Sequence, residues 1–242
     1  MEPLEPSFFS MKLPCPSCQQ SINGLKSSIG TRTRCPHCQH SFFWSESQFL
    51  AHDFVIYDLE TTGLDPNRDE FIQIAAVRLT QGELCSEDTF SSYARPRRPI
   101  SAFIESYTGV SNRTVQTAPR PEEVLINFST WAADATLIAH NGLRFDSKFL
   151  SATCQRHNLP RKEILCIDSI HLSKMLFGKV RGTGHSIDHL VSRLKIDTKG
   201  LRRHDARGDV EILGRAVVGM WRQLGLDNSF NGVPRHPSFL PL

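Results

Sequence analysis

Phe54-Val-Ile-Tyr-Asp-Leu-Glu-Thr-Thr-Gly-Leu64 is the stretch on which both the fold and the chemistry of this 242-residue chain turn. Its first four residues are apolar and β-prone, so they predict a buried strand whose end carries two acids. Residues two apart along a strand face the same way, which brings Asp58 and Glu60 to one point. Adjacent carboxylates at the edge of a core repel one another and lose hydration unless something positive lies between them. A hard divalent cation, Mg²⁺ or Mn²⁺, answers that need.

Two further segments carry the same kind of chemistry, His140-Asn-Gly-Leu-Arg-Phe-Asp146 and His204-Asp-Ala-Arg-Gly-Asp209. Each acid has a bland reading when taken alone. Asp58 could close a turn, Asp146 could cap the helix that follows it, and Asp209 could answer a helix dipole. His204 alone reads as an exposed loop histidine. Taken jointly, in this order, the three segments resemble the motifs of the DEDDh 3′–5′ exonucleases, the DnaQ-like family, over residues 52–225.

That resemblance implies an α/β, ribonuclease-H-like mixed sheet flanked by helices. It implies hydrolysis of phosphodiester bonds from the 3′ end of nucleic acid, releasing nucleoside 5′-monophosphates. Two Mg²⁺ or Mn²⁺ ions roughly 3.5–4 Å apart would flank the attacking and leaving oxygens. By resemblance, Asp58, Glu60 and Asp209 hold the ion beside the water, Asp58 bridges to the second, and Asp146 supports that one. His204 takes the proton from the water, for which an ordinary pKa near ~6.5 is suited, and it assigns the histidine rather than the tyrosine branch. Thr61 and Thr62 would approach the terminal nucleotide through backbone, Leu64 would pack on its base, and Asn141, Arg144 and Phe145 would complete the substrate site. The spacing from Asn141 to Phe145, with Gly142 and Arg144, and the glycine at 208 are similar to TREX-type members, although their Pro-rich insert is missing.

Periodicity predicts the elements around these motifs. Phe71–Leu79 reads as a second strand, Gln81-Gly82 as a turn and Thr89–Ala94 as a third strand, an antiparallel start to the sheet. A helix is expected over Glu122–Ala133, a strand over Thr136–Ala139, a helix from Ser147 to His157 and a strand over Ile164–Ile167 ending at Asp168, which takes a supporting position. Ile187, Leu190, Val191 and Leu194 mark a short helix, and a last one runs from Asp205 to Leu224. His185 and His189 read as loop and helix-surface residues. Arg95, Arg97 and Arg98 form one basic group; Arg193, Lys195, Lys199, Arg202, Arg203 and Arg207 form another beside His204, suited to phosphate.

Ahead of this domain, Cys15-Pro-Ser-Cys18 and Cys35-Pro-His-Cys38 have the spacing of a four-cysteine zinc ribbon over residues 1–45. Four thiolates close a tetrahedron, which makes the expected Zn²⁺ structural rather than catalytic. Gln19 to Arg34 has almost nothing to bury, so the metal, worth ~10–16 kcal/mol in zinc peptides, would have to supply the stability. Lys26, Arg32 and Arg34 make the module mildly basic, and Phe42, Phe43 and Trp44 could dock it on the second domain across the short connection Ser45–His52.

A net charge of +3 does not by itself identify a nucleic-acid binder. No apolar run reaches the ~20 residues of a membrane helix, and the start lacks the pattern of a signal peptide. With Cys85, Cys154 and Cys166 left over, seven cysteines point to a reducing cytoplasm. The expected partner is nucleic acid with a free 3′ end: DNA first, with RNA 3′-end trimming as the alternative. A non-catalytic binding or proofreading subunit held by a polymerase or repair protein is the other reading. Residues 226–242 read as a C-terminal tail, either a peptide anchor or disordered.

Overall fold

The computed structural model describes residues 11–18, 20–24, 31–44, 54–80, 82–179, 184–226 and 232–242. Lys26, Gln81 and the connection 45–52 lie outside the described residues. Two units result, Met1–His52 and Asp53–Leu242.

In the first unit, β1 (Met11–Pro14) pairs antiparallel with β2 (Ser21–Gly24), and β3 (Arg32–Arg34) with β4 (Ser41–Phe43). Each knuckle closes in the same way, Cys15 donating its amide to Gln20 O at 2.9 Å and Cys35 to His40 O at 2.9 Å. The module's own small core takes Cys15, Ile22, Cys35, Phe42 and Trp44. This corrects the expectation that Phe42, Phe43 and Trp44 act together as a docking surface. Successive residues of an extended chain face opposite ways, so Phe42 and Trp44 turn inward in an edge-on pair while Phe43 is 64% exposed.

The second unit is built on a sheet of six strands in the order β10-β9-β8-β5-β6-β7. β5 (Phe54–Thr61), β6 (Phe71–Thr80) and β7 (Glu83–Tyr93) form an antiparallel meander. β8 (Thr136–Ala139) runs parallel to β5, and β9 (Arg161–Asp168) parallel to β8. Both faces are covered. Val55, Tyr57 and Leu59 pack with Val124, Leu125 and Phe128 of α3 (Pro121–Ala132) and with Phe149 and Leu150 of α4 (Asp146–Arg156). Phe54 and Ile56 pack with Leu172 of α5 (Ser169–Phe177), Leu190 of α6 (Ile187–Leu194) and Val210, Leu213 and Val217 of α7 (Ala206–Leu224). Burial on both faces explains the unbroken apolar run at the start of β5. The period of two then carries Asp58 and Glu60 onto the face that α7 covers.

Two short helices add to the expected elements: α1 (Ala102–Thr108) and α2 (Asn112–Val115). Ser101 and Ser111 cap them, accepting from the amides of Ile104 and Thr114. They close over a satellite core of Ile72, Ile100, Val110 and Val115. α5 is a further addition; Asp168 caps it.

The tail reading of residues 226–242 is corrected for its end. β10 (His236–Pro241) pairs antiparallel with β9, from His236 opposite Cys166 to Pro241 opposite Arg161. Leu240 is fully buried, and Ser129 donates its hydroxyl to Pro241 O at 2.6 Å. Pro237 and Pro241 suggest a tail, but an edge strand tolerates prolines because one side of its ladder needs no donors.

Candidate active site

The acids gather where β5 and β8 end and α7 begins. Ligand atoms of Glu60, His204 and Asp209 all lie within 4.8 Å of one another. Loss of solvent, then the charges of Asp146, Asp209 and Glu60, push the Asp58 carboxyl well above its ordinary range. Burial and then Asp209, Asp205 and Asp146 raise Glu60 to about 8. Burial raises Asp146 to about 7, against the hydrogen bonds it accepts from its own amide and that of Leu59. The bland reading of Asp146 as a helix cap does not hold, because Phe145 occupies that position and Asp146 is the first helical residue. With the carboxyls of Asp58 and Glu60 raised by burial and by their acidic neighbours, the cluster is short of positive charge, a donor set that suits a hard divalent cation.

Part of that charge comes from the protein. Arg203 pairs with Asp209 and, through Nε, with Asp188 at 3.1 Å. The other oxygen of Asp209 accepts the His204 amide at 2.9 Å. His204 lies in the left-handed region, φ 58°, and its ring rests against Tyr107 with centroids 4.1 Å apart. Gly208 permits this loop: a Cβ there would collide with Arg202 O.

Gln73, which the sequence did not single out, and Asp168, expected in a supporting position, hold the site's segments in place. Gln73, 1% exposed within β6, donates to Asp205 Oδ1 at 3.0 Å and accepts the Ala206 amide at 3.2 Å, fastening the start of α7 to the sheet. A lone glutamine inside Phe71-Ile-Gln-Ile74 was its available signal. Asp168 accepts the amides of both Asn141 and Ile170 at 3.0 Å, so it ties the second motif to the end of β9.

Among the expected substrate residues, Leu64 is 84% exposed. Thr61 donates its hydroxyl to Gly63 O at 2.6 Å, while the Thr62 amide is engaged with Glu70 O at 2.9 Å. Arg144 is exposed, and Phe145 packs on Phe149 with centroids 4.9 Å apart. His185 lies in a loop as expected but is buried there, with Nδ1 2.7 Å from Ser173 Oγ, and His189 is exposed on α6 as expected. Arg97 of the first basic group binds buried Glu70 through its amide and its guanidinium.

In the first unit, the sulfurs of Cys15, Cys18, Cys35 and Cys38 lie within 4.8 Å of one another. The amides of Ser17 and His37 each point at a cysteine sulfur, Cys15 and Cys35, at 3.4 Å. Four convergent thiols with amide donors fit a single zinc ion. No helix among the described residues is long and apolar enough to cross a membrane.

Comparison with known proteins gives one consistent answer. A family model described as exonuclease matches residues 55–217. A DNA polymerase III subunit epsilon-like protein of Rhodobacter capsulatus is 39% identical over 174 residues, which are 68% of this chain and 23% of that protein. A PolC-type DNA polymerase III of Latilactobacillus sakei is 36% identical over 162 residues, 67% of this chain but 11% of the polymerase. This chain thus spans a minor part of the length of these relatives. Among solved structures, the nuclease domain of 3′hExo, a DEDDh family member bound to rAMP, superposes with a TM-score of 0.62 at 22% identity, covering 77% of this chain and 97% of that one. Exonuclease X in complex with 5′ overhanging duplex DNA gives 0.58 at 23% identity, covering 72% and 93%. At such identities the likeness establishes the ribonuclease-H-like exonuclease fold.

Proposed function

The chain belongs to the exonuclease family, and from that premise we propose that it is a metal-dependent 3′–5′ exonuclease that removes nucleoside 5′-monophosphates from DNA. The observation that carries this reading is the convergence of Glu60, His204 and Asp209 beside Asp58 and Asp146 on the open end of the sheet. Asp58, Glu60 and Asp209 would hold one Mg²⁺ or Mn²⁺, with Asp58 and Asp146 holding a second. Bound ions would supply an activated water and neutralise charge on the phosphate and the leaving 3′ oxygen. The protein's own part is to fix those oxygens on β5, α4 and α7 and to accept the water's proton at His204. Thr61, Thr62, Leu64, Asn141, Arg144 and Phe145 would contact the terminal nucleotide.

DNA is preferred over RNA because the relatives at 36% and 39% identity carry DNA polymerase III names. The same names support a polymerase as a partner, and the cysteines left over from the ribbon favour a reducing cytoplasm as the compartment. The ribbon would hold one structural Zn²⁺ on Cys15, Cys18, Cys35 and Cys38.

The deciding experiment incubates the full chain with Mg²⁺ or Mn²⁺ and 5′-labelled single-stranded DNA, duplex DNA and RNA in parallel. A ladder shortening from the 3′ end, faster on DNA, is expected. His204→Ala should lose more than ~100-fold in turnover while retaining Mn²⁺ binding. Intact substrates throughout, or hydrolysis that persists in excess EDTA, would overturn the reading.

A further inference from the structure

The four-cysteine unit carries a surface that neither its own core nor the carboxylate site uses. Residues 11–44 hold Lys12, Lys26, Arg32 and Arg34 but no aspartate or glutamate, in a chain with 25 acids. The pairing of β3 with β4 sorts part of this stretch by face. Arg32 stands opposite Phe43 and Arg34 opposite Ser41, with Thr33 opposite Phe42 between them. Directly opposed residues share a face, and successive residues alternate. Phe42 is drawn into the small core with Trp44, so Arg32, Arg34 and Phe43 are presented together on the outer face, all three exposed. Arg34 is steadied there by donating Nε to Gln39 O at 3.2 Å. Neither arginine meets a carboxylate among the described residues.

An open ring beside two guanidiniums without acidic partners matches one strand of nucleic acid. The ring can stack on an unpaired base while the arginines meet phosphates along the backbone. Acidic side chains of a protein would answer the guanidiniums alone; a nucleotide answers guanidinium and ring together. We propose that the outer face of β3 and β4, through Arg32, Arg34 and Phe43, grips a single polynucleotide strand away from the end being hydrolysed. Two contacts carried on one chain make the second intramolecular, at an effective concentration on the order of millimolar. The ribbon therefore raises affinity for long strands over short ones. The choice of nucleic acid as occupant rests on the nuclease reading of the second unit, whereas the face itself follows from the register and charge of the first.

The test measures fluorescence anisotropy of the full chain in Mg²⁺ with labelled oligo-dT carrying phosphorothioate linkages at the 3′ end. Two lengths are compared, a ~6-mer that fills one site and a ~30-mer that reaches two. The unaltered protein is expected to bind the longer strand at least ~100-fold more tightly. Phe43→Ala should weaken binding of the longer strand at least ~5-fold, the lower end for one stacked base, and leave the shorter within about twofold. Phe43→Trp should keep the affinity, and Phe43→Leu, which has apolar area but no ring face, should not. Arg32→Gln with Arg34→Gln should lower the slope of log affinity against log salt by ~1.4 on the longer strand, or ~0.7 per phosphate contact. Zinc content, read by chelator release, shows whether each variant keeps its ribbon, and the arginine pair lies outside the small core and gives an independent arm. Equal losses on both lengths, a length preference that survives all three substitutions, or full function of the leucine variant would overturn the proposal. So would a wild-type dimer that Phe43→Ala converts to monomers, since the face would then be a subunit contact. Hydrolysis of thymidine 5′-monophosphate p-nitrophenyl ester is followed alongside and should be unchanged in these variants. Length-dependent, ring-dependent binding by a protein that hydrolyses nothing would sink the nuclease reading and leave the ribbon's grip standing.

Discussion

Gly208 shows how much of the site hangs on a single missing methyl group. Any side chain there would collide with the backbone carbonyl of Arg202, two residues ahead of His204, and backbone cannot swing aside as a side-chain tip can. Gly208→Ala is therefore expected to shift the His204 loop and lower kcat by more than ~10-fold, since misplacement near 1 Å can cost ~100-fold. Circular dichroism should show the fold retained; wild-type kcat in Gly208→Ala would contradict the account. His140 makes a different contribution. Burial first, and then the charges of Arg203 and His185, hold its imidazole down at about 4 despite Asp168 and Asp188. In the unfolded chain the ordinary value is near ~6.5, so between those values only the unfolded state binds the proton. The associated stability is complete above pH ~6.5 and is lost as pH falls toward 4. His140→Gln should flatten the acid side of the stability curve by up to ~1.4 kcal/mol per pH unit, read from urea midpoints. An unchanged slope would assign the acid sensitivity elsewhere.

At the level of elements, β10 is the piece whose removal should matter most. Its backbone covers the β9 edge, and Leu240 is fully buried in the core that also holds Phe128 and Phe149. Leu240→Ala is expected to cost about 2–5 kcal/mol in denaturant unfolding, the range for a truncated core leucine. Removing residues 236–242 should in addition leave the β9 edge open and promote aggregation. A stability loss below ~1 kcal/mol for Leu240→Ala would make the strand a loosely attached tail after all. α7 plays the opposite part. It is anchored at its start by Gln73 and buries Val210, Leu213 and Val217, so Asp209 in its first turn inherits a fixed position against β5.

For the molecule as a whole, the two units should answer differently to metals. The second carries acids short of positive charge, so Mg²⁺ or Mn²⁺ at a hundredfold over Kd should add ~2.7 kcal/mol to its stability. Asp58→Asn should abolish that gain, measured as a shift in thermal midpoint with and without the ion. A thiol-directed chelator should instead open Met1–His52 to protease while Asp53–Leu242 stays resistant. Simultaneous loss of both units would show that the ribbon supports the exonuclease fold.

The strands and helices that bury wide apolar faces were legible in the chain, because period two along β5 and β6 and period near four along α7 leave direct marks in residue order. So were Asp58 and Glu60, whose convergence follows from strand geometry alone. The paired knuckles were legible too, because the thiols that meet are marked by their spacing. α1, α2 and β10 were not, since elements of four to seven residues have too few turns for a stripe, and β10 is broken by Pro237 and Pro241. The roles of Gln73 and Tyr107 depend on partners far away along the chain, and local sequence carries no record of such distances. Order along the chain thus determined which residue types could do chemistry and on which strand face two of them sit. Only the packing of α7 and the His204 loop against the sheet decided that His204 and Asp209 come to lie beside Glu60.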